Sequence, residues 1–379
     1  MTADPTTGAT KMEVQTSNLF PIDYAQGRRN FTFAAHTKRC TLTSWVLPGY
    51  KGTQGEELAL DSAFFQADTN KGNESPLVII SSGVHGVEGL CGSGCQHALL
   101  QDEDLLGKAQ AAGVDLLFLH AINPYGFSYL RRGNEDNVDL NRNCIDFSQP
   151  PPTNPDYEAL DALLVPAHWP PEAENELALA RTEQIMGTPA FRRAVTSGQT
   201  SHPKGLFFSG REPSWSNRTV RHILQQHGSG RKRIAWVDIH TGLGPRGHGE
   251  KIHAGKPTQE DILLSRKVWG ADVVAAWEGQ SASAQVKGPV VSCVYEECPE
   301  AEIAAIALEF GTVPYHDFMM ALRADQWLHR QAAPSAAQTS TIRQTMRGAF
   351  YVDGDDWRGM VTAQTRVAVL QACWGIGNL

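Results

Sequence analysis

Three short stretches of this chain set metal-ligating and acid–base side chains directly after apolar runs. His85-Gly86-Val87-Glu88 follows Leu77-Val78-Ile79-Ile80, Asp238-Ile239-His240 follows Ile234-Ala235-Trp236-Val237, and Glu309 closes Ile303-Ala304-Ala305-Ile306-Ala307-Leu308. Two imidazoles and a carboxylate at strand ends can hold one zinc ion with a vertex left for water, and a further carboxylate can work on that water. The implied chemistry is hydrolysis of an amide or peptide bond. Each piece alone has a plainer reading: a solvated loop for His85 and Glu88, a strand-end histidine satisfied by backbone for His240, a carboxylate paired with arginine for Glu309. Asp238, two residues before His240, shares its strand face and is expected to pack near it. Burial raises a carboxylate's pKa and a nearby cation lowers it, a balance that suits Glu309 to take and then return a proton.

Elements must hold these residues. The alternation of strand-like and helical runs predicts an α/β sandwich with a mixed, largely parallel sheet. A helix is expected around Tyr24 to Ala35, then an antiparallel pair at Leu42–Leu47 and Leu58–Phe65. Leu77–Ile80 and Leu116–Leu119 are continuously apolar, as strands buried on both faces should be. A helix through Cys95 and Leu100 separates them. Pro150-Pro151-Pro152 opens a helical insertion at about 150–230, with a helix at Glu174–Met186 facing inward through Leu177, Ala180 and Gln184. The sheet resumes at Ile234–Ile239 and Ile303–Glu309. After Pro314 the chain is chiefly helical, with Trp327, Trp357 and Trp374 as packing anchors and a loop at Ala332–Thr341. Residues 1–20 are expected to be a flexible tail before one catalytic domain spanning 21–379.

The most specific stretch runs from Arg131 to Asn143, Arg-Arg-Gly-Asn-Glu-Asp-Asn-Val-Asp-Leu-Asn-Arg-Asn, after the turn Asn123-Pro124-Tyr125-Gly126. Together with H-G-V-E, D-I-H-T-G and L-E-F-G, it resembles the carboxypeptidase A-like zinc peptidases over roughly residues 75–315. The clipped loops also resemble the succinylglutamate desuccinylase and aspartoacylase branch, and an uncharacterised bacterial subgroup between the two is most similar. The resemblance implies a three-layer α/β/α sandwich and one Zn2+ per chain, ligated by His85, Glu88 and His240. Asp139 would orient the first histidine. Asn141 and Arg142 would grip a substrate carboxylate, Arg132 (or its neighbour Arg131) would polarise the scissile carbonyl, and Glu309 would be the general base. The family's substrate-closing tyrosine has no secure counterpart; Tyr295 is the nominee. The implied substrate is a small peptide or acylated amino acid with a free carboxylate. Carboxypeptidase, N-acyl amino acid deacylase and a non-catalytic ligand-binding homologue are the competing functions.

Bulk properties narrow the field. The 379 residues carry a formal charge of −8, which argues against nucleic acid as a partner. Arg231-Lys232-Arg233 reads as solvated surface, as do His248, His253 and the acidic run Glu296, Glu297, Glu300 and Glu302. No apolar run approaches the roughly 20 residues of a membrane span, and the opening residues do not resemble a secretory signal. Seven dispersed cysteines are expected to be reduced core residues in a cytoplasmic protein. Gly242-Leu243-Gly244-Pro245-Arg246-Gly247 matches a dinucleotide-binding spacing, but a helix should begin there and the sequence favours a flexible loop.

Overall fold

A computed structural model describes residues 16–67 and 72–378. Seven strands are present among them: β1 Thr41–Lys51, β2 Glu57–Phe65, β3 Leu77–Ser82, β4 Asp115–His120, β5 Arg233–Arg246, β6 Gly249–His253 and β7 Glu302–Gly311. They form one sheet in the order β1-β2-β4-β3-β5-β7-β6. The central β4, β3, β5 and β7 run parallel, while β1, β2 and β6 pair antiparallel at the flanks.

Every residue of β3 and β4 is buried, because helices cover both faces. On one face Ile80, Phe118, Val237 and Leu308 pack with Leu90, Cys91, Trp357 and Val369 from the helices Gly89–Gln101 and Asp355–Gly377. On the other, Ile79, Leu117, Trp236 and Ala305 meet Ile223, Leu224 and Val294 from Trp215–His227 and Cys293–Glu297. The chain is therefore a three-layer α/β/α sandwich with a mixed, largely parallel sheet. A third cluster joins Tyr157, Leu160 and Phe191 of the insertion to Phe318, Trp327 and Phe350 of Tyr315–Arg330 and Ala336–Phe350. It lies against Val87, beside the first histidine motif.

Several expectations need correction. Residues 1–15 lie outside the described part, but Leu19 and Phe20 of the supposed tail are core residues. The glycine-rich loop after His240 is instead the continuation of β5, which then returns as β6 along the free edge of β7. Gly242 (φ +138°) permits this path, since a Cβ there would stand 2.7 Å from Phe318. His253 is consequently buried, bonded to Ser265 Oγ at 2.9 Å and the Lys256 carbonyl at 3.0 Å, whereas His248 is exposed. Arg231 is buried too: it donates to Asp115 at 2.6 Å and to the Ser75 carbonyl, tying the starts of β4 and β5. The acidic run is partly engaged, with Arg221 bonded to Glu296 and Glu297 at 2.7 and 2.8 Å.

Most of Ala332–Thr341 is helix, because Ser335 caps Ala336–Phe350 by accepting from Gln338 N. The helix Ala173–Met186 buries nothing and leaves Leu177 58% exposed, and Trp374 is half exposed, while Trp327 and Trp357 are buried as anchors. All seven cysteines are free and buried. No described helix is long and apolar enough to cross a membrane.

One buried ion cluster clamps the motif-bearing loop to the helical layer. Asp325, 3% exposed, accepts from Arg131 Nε at 3.3 Å and from Arg343. Burial pushes its carboxyl upward, but the two guanidiniums outweigh burial and hold it below the usual range. Asp325→Ala is therefore expected to destabilise the fold by about 3–5 kcal/mol in denaturant titration, since it strands a buried cation. The carboxylate's contribution is present at neutral pH and lost as pH falls through its lowered folded-state pKa. Asp325→Asn should accordingly flatten the acid limb of the stability–pH curve.

Candidate metal centre

β3 delivers the chain at Ser82 into a tight turn, where His85 precedes and Glu88 closes the 3-10 turn Gly86–Glu88. Gly86 has no room for a side chain: a Cβ would lie 2.0 Å from the Gly126 carbonyl carbon. This close approach lets Gly86 N and Val87 N donate to the carbonyls of Arg132 and Arg131 at 3.3 and 2.9 Å. Asn123 completes the joint by accepting from Gly126 N and donating to the Arg132 carbonyl. The N-P-x-G turn thus locks the arginine segment onto the His85 turn.

Next to β3, β5 presents Asp238 and His240 on one face. In the parallel register of β5 with β7, His240 stands opposite Glu309. The three motifs therefore meet at the same end of three adjacent strands.

His85 Nδ1 lies 2.8 Å from one oxygen of Glu88, and His240 Nδ1 lies 2.8 Å from the other. Nε2 of His240 faces Asp238 at 2.6 Å, and Asp238 is itself fixed by Ser81 Oγ, which takes the indole N–H of Trp236. Burial opposes charge on His240, yet Asp238 and Glu88 flanking the ring raise its pKa well above the usual value. Burial likewise pushes Glu88 up, but His85 and His240 bring its carboxyl down to about 2. Glu309 behaves oppositely: burial first, then the charge of Glu88, push it up to about 7, although Leu243 N donates to it at 2.9 Å.

The donor set suits zinc. One nitrogen from each imidazole and the Glu88 carboxylate lie within 4.8 Å of one another, all buried. With carboxylates against both its nitrogens, His240 must carry two protons without a metal; a cation would replace the one on Nδ1 and leave Nε2–H donating to Asp238. His85 Nε2 has no well-formed hydrogen bond, although Asp139 Oδ1 is only 3.3 Å away. That near approach fits Asp139 as an orienting carboxylate for the ring.

The two adjacent arginines part company here. Arg131 turns into the Asp325 cluster and also donates to Asn137. Arg132 turns to the cavity, donating to Asp139 at 2.9 Å with Nη1 3.8 Å from Glu88. Burial opposes charge on Asp139, but Arg132, Arg142 and His85 hold it well below the usual range. Arg142 directs Nε and Nη2 at the Thr196 carbonyl (2.8 and 2.6 Å) and Nη1 at that of Asn141 (2.8 Å). One N–H on each terminal nitrogen is left for a ligand. Asn141 borders the same space, its Oδ1 accepting from Val290 N.

Sequence reasoning missed Phe207, whose ring lies under both Arg132 and Arg142 at 5.1 and 5.6 Å. Its backbone is left-handed (φ 54°), a strained state for a bulky residue, and no motif marks it.

His85, Glu88, His240 and Glu309, with Arg132, Arg142 and Phe207, open onto one cavity of about 360 Å3. Its far walls come from β6, the segment 282–289 and the helix Thr188–Thr196 of the insertion. Tyr295 reaches the wall, but its hydroxyl is committed to Asp261 at 2.7 Å.

A family model matches residues 20–364. The chain belongs to the family described as protein of unknown function DUF2817. No curated protein matches this DUF2817 chain. Its fold is shared with the crystal structure of thrombin activatable fibrinolysis inhibitor, at a TM-score of 0.52 and 11% identity, over 96% of this chain and 79% of that one. The carboxypeptidase A of Helicoverpa armigera matches at 0.41 and 15% identity, over 91% of this chain and 73% of that one. A metallo-carboxypeptidase of Pseudomonas aeruginosa matches at 0.38 and 15% identity, covering 87% and 69%.

Proposed function

We propose that this protein is a zinc-dependent hydrolase of a peptide or amide bond in a small substrate bearing a free carboxylate. The observation that carries the reading is the convergence of both histidine Nδ1 atoms on the two oxygens of Glu88, with Glu309 paired to His240 across β5 and β7. His85, Glu88 and His240 would hold the ion, which when bound supplies Lewis acidity toward the scissile carbonyl and makes water more acidic.

The chain's own residues do the rest. Glu309, with a pKa raised by burial, accepts a proton from the attacking water and passes it to the leaving nitrogen. Arg132, held by Asp139 and Phe207, donates to the oxygen that gains charge. The two open N–H groups of Arg142 receive the substrate carboxylate in a bidentate pair. Asp139 and Asp238 fix the orientations of the two imidazoles.

The enclosing cavity favours short peptides and acylated amino acids, so a deacylase reading stays beside the carboxypeptidase one. A panel of blocked dipeptides and N-acyl amino acids, assayed with and without chelator, separates them. Carboxyl-terminal release that stops on chelation and returns with zinc is the expected result. Turnover of N-acyl amino acids alone would assign the deacylase, and substrate binding without any turnover would reduce the protein to a ligand-binding homologue.

A further inference from the structure

The two edges of the sheet are built differently. β6, at one edge, is five residues long and carries Glu250 and Lys251. β1, at the other, runs for eleven residues, and Thr41 to Tyr50 contains no charged side chain. Charges, prolines and bulges are the devices that keep an edge strand from pairing with another chain. Pro48 and a register shift between Val46 and Lys51 protect the far end of β1, but Thr41 to Val46 has none of these devices.

One hydrogen-bond pair shows which way the backbone of β1 faces. Ala59 of β2 stands opposite Val46, yet its N–H and C=O are both engaged by the Tyr24 hydroxyl, at 2.7 and 3.1 Å. In an antiparallel ladder the N–H and C=O of one residue point to the same side. Val46 and Ala59 therefore do not bond each other, and Val46 turns both groups to the outer edge. The register is unbroken from Thr41 to Val46, so Ser44 and Leu42 do the same. β1 is the last strand of the sheet, and these groups have no backbone partner among the described residues.

The side chains on the same residues are exposed and symmetrically placed. Leu42 is 37% and Val46 47% exposed, two residues to either side of Ser44. Ser44 donates to Asp61, which Arg28 also holds, so this row lies on the side of the helix Tyr24–Thr37. Phe33 of that helix is 72% exposed and borders a recess together with Leu42. On the other side of the sheet, Trp45 packs on His222 with ring centroids 5.0 Å apart.

A twofold axis through Ser44 would use every one of these features. It sets Ser44 against its own copy and Leu42 against Val46 in both directions, on one face of the sheet. The outward N–H groups of each strand then meet the outward C=O groups of the other. Neighbouring registers do worse. An axis at Thr43 opposes Val46 to Cys40, whose N–H is taken by the Ala35 carbonyl at 3.0 Å. An axis at Trp45 opposes Leu42 to Pro48, which has no N–H. The edge from Cys40 to Pro48 is about 30 Å long. With Phe33 on one side and Trp45 on the other, such a strip approaches the roughly 800 Å2 per partner of a stable interface.

We infer that a second copy of the chain occupies this edge: β1 pairs antiparallel with β1 of the second copy about an axis at Ser44, joining the two sheets into one. The same patch is used twice and the pairing closes on itself, so it gives a dimer and not a fibre. None of these residues lines the cavity, and the dimer stands whether or not the hydrolase reading does.

Sedimentation velocity of the full chain from about 1 to 100 μM, a range that brackets micromolar affinity, reads the association. A dimer is expected at the upper end. Val46→Lys and, separately, Leu42→Lys should each weaken it about 10-fold or more, because each sets an unpaired ammonium against an apolar side chain at the seam. Val46→Ile should keep it. Both positions are exposed in the single chain, so thermal melts of the dilute lysine variants should match dilute wild type. Hydrogen exchange locates the contact: the amides of Leu42, Ser44 and Val46 should slow as concentration rises, while those of Thr43 and Trp45, which face β2, should not. A wild type that stays monomeric at about 100 μM overturns the inference and leaves the edge to a strand from a different protein. A dimer that both lysine variants leave intact, with exchange at the three amides unchanged, overturns it too and moves the contact to another face.

Discussion

Glu309→Gln is expected to lower kcat by about 100- to 10,000-fold, the usual contribution of a positioned general base and acid, while the metal content of the protein stays unchanged. Gln keeps the shape of the side chain and can still accept from Leu243 N, the contact seen at 2.9 Å. What it cannot do is take a proton. Undiminished turnover in this variant would remove Glu309 from the mechanism.

A second, activity-independent result should accompany it. Burial and the charge of Glu88 raise the Glu309 pKa from the usual 4.5 to about 7. A carboxyl raised in the folded state contributes stability below its unfolded value and loses it as pH climbs through about 7. Chelated wild type should therefore be less stable than chelated Glu309→Gln at pH 8, with the gap narrowing toward pH 4. Thermal melts across that window read the difference directly, and melts that are parallel at all pH values would show that Glu309 is not held against its charge. Sites poised for proton transfer commonly carry such a cost in stability.

The second large effect concerns the ligands themselves. His85→Ala should bring bound zinc from about one ion per chain to near zero, because two remaining ligands fall short of the three that a catalytic site provides. Elemental analysis of freshly purified protein measures it, and full metal retention would exclude His85 from the set. Asp238→Asn should behave differently. It leaves all three ligands in place but weakens the hold on His240 Nε2, now made at 2.6 Å. A loss of about 10- to 100-fold in zinc affinity is the range for orienting carboxylates. The contrast separates ligation from orientation: if Asp238→Asn stripped the metal as fully as His85→Ala, Asp238 would have to be counted among the ligands.

Much of the centre was legible in the linear chain. Strands buried on both faces have no polar side to alternate with, so β3, β4, β5 and β7 stand out as unbroken apolar runs. His85, Glu88, His240 and Glu309 sit just where those runs end. Local chemistry also marked the Asn123–Gly126 turn. These features depend on neighbours a few residues away, and such neighbours are adjacent in the sequence as well as in space.

Tertiary contacts settled everything that depends on direction or on distant partners. Arg131 and Arg132 are equivalent as letters. Only Asp325, 194 positions from Arg131, draws one into the helical layer and leaves the other for the cavity. β6 was hidden because an edge strand is defined by the partner it pairs with, and glycines that permit its approach read locally as breakers. Arg231 and His253 were mistaken for surface residues since their partners, Asp115 and Ser265, lie on other elements. Phe207 belongs to no helix or strand and so to no periodic pattern. The amino-acid sequence determined which side chains stand at the strand ends. The packing of the insertion against Tyr315–Arg330 decided what surrounds them, because burial and charge pairing depend on neighbours in space, and no local pattern in the chain records who those are.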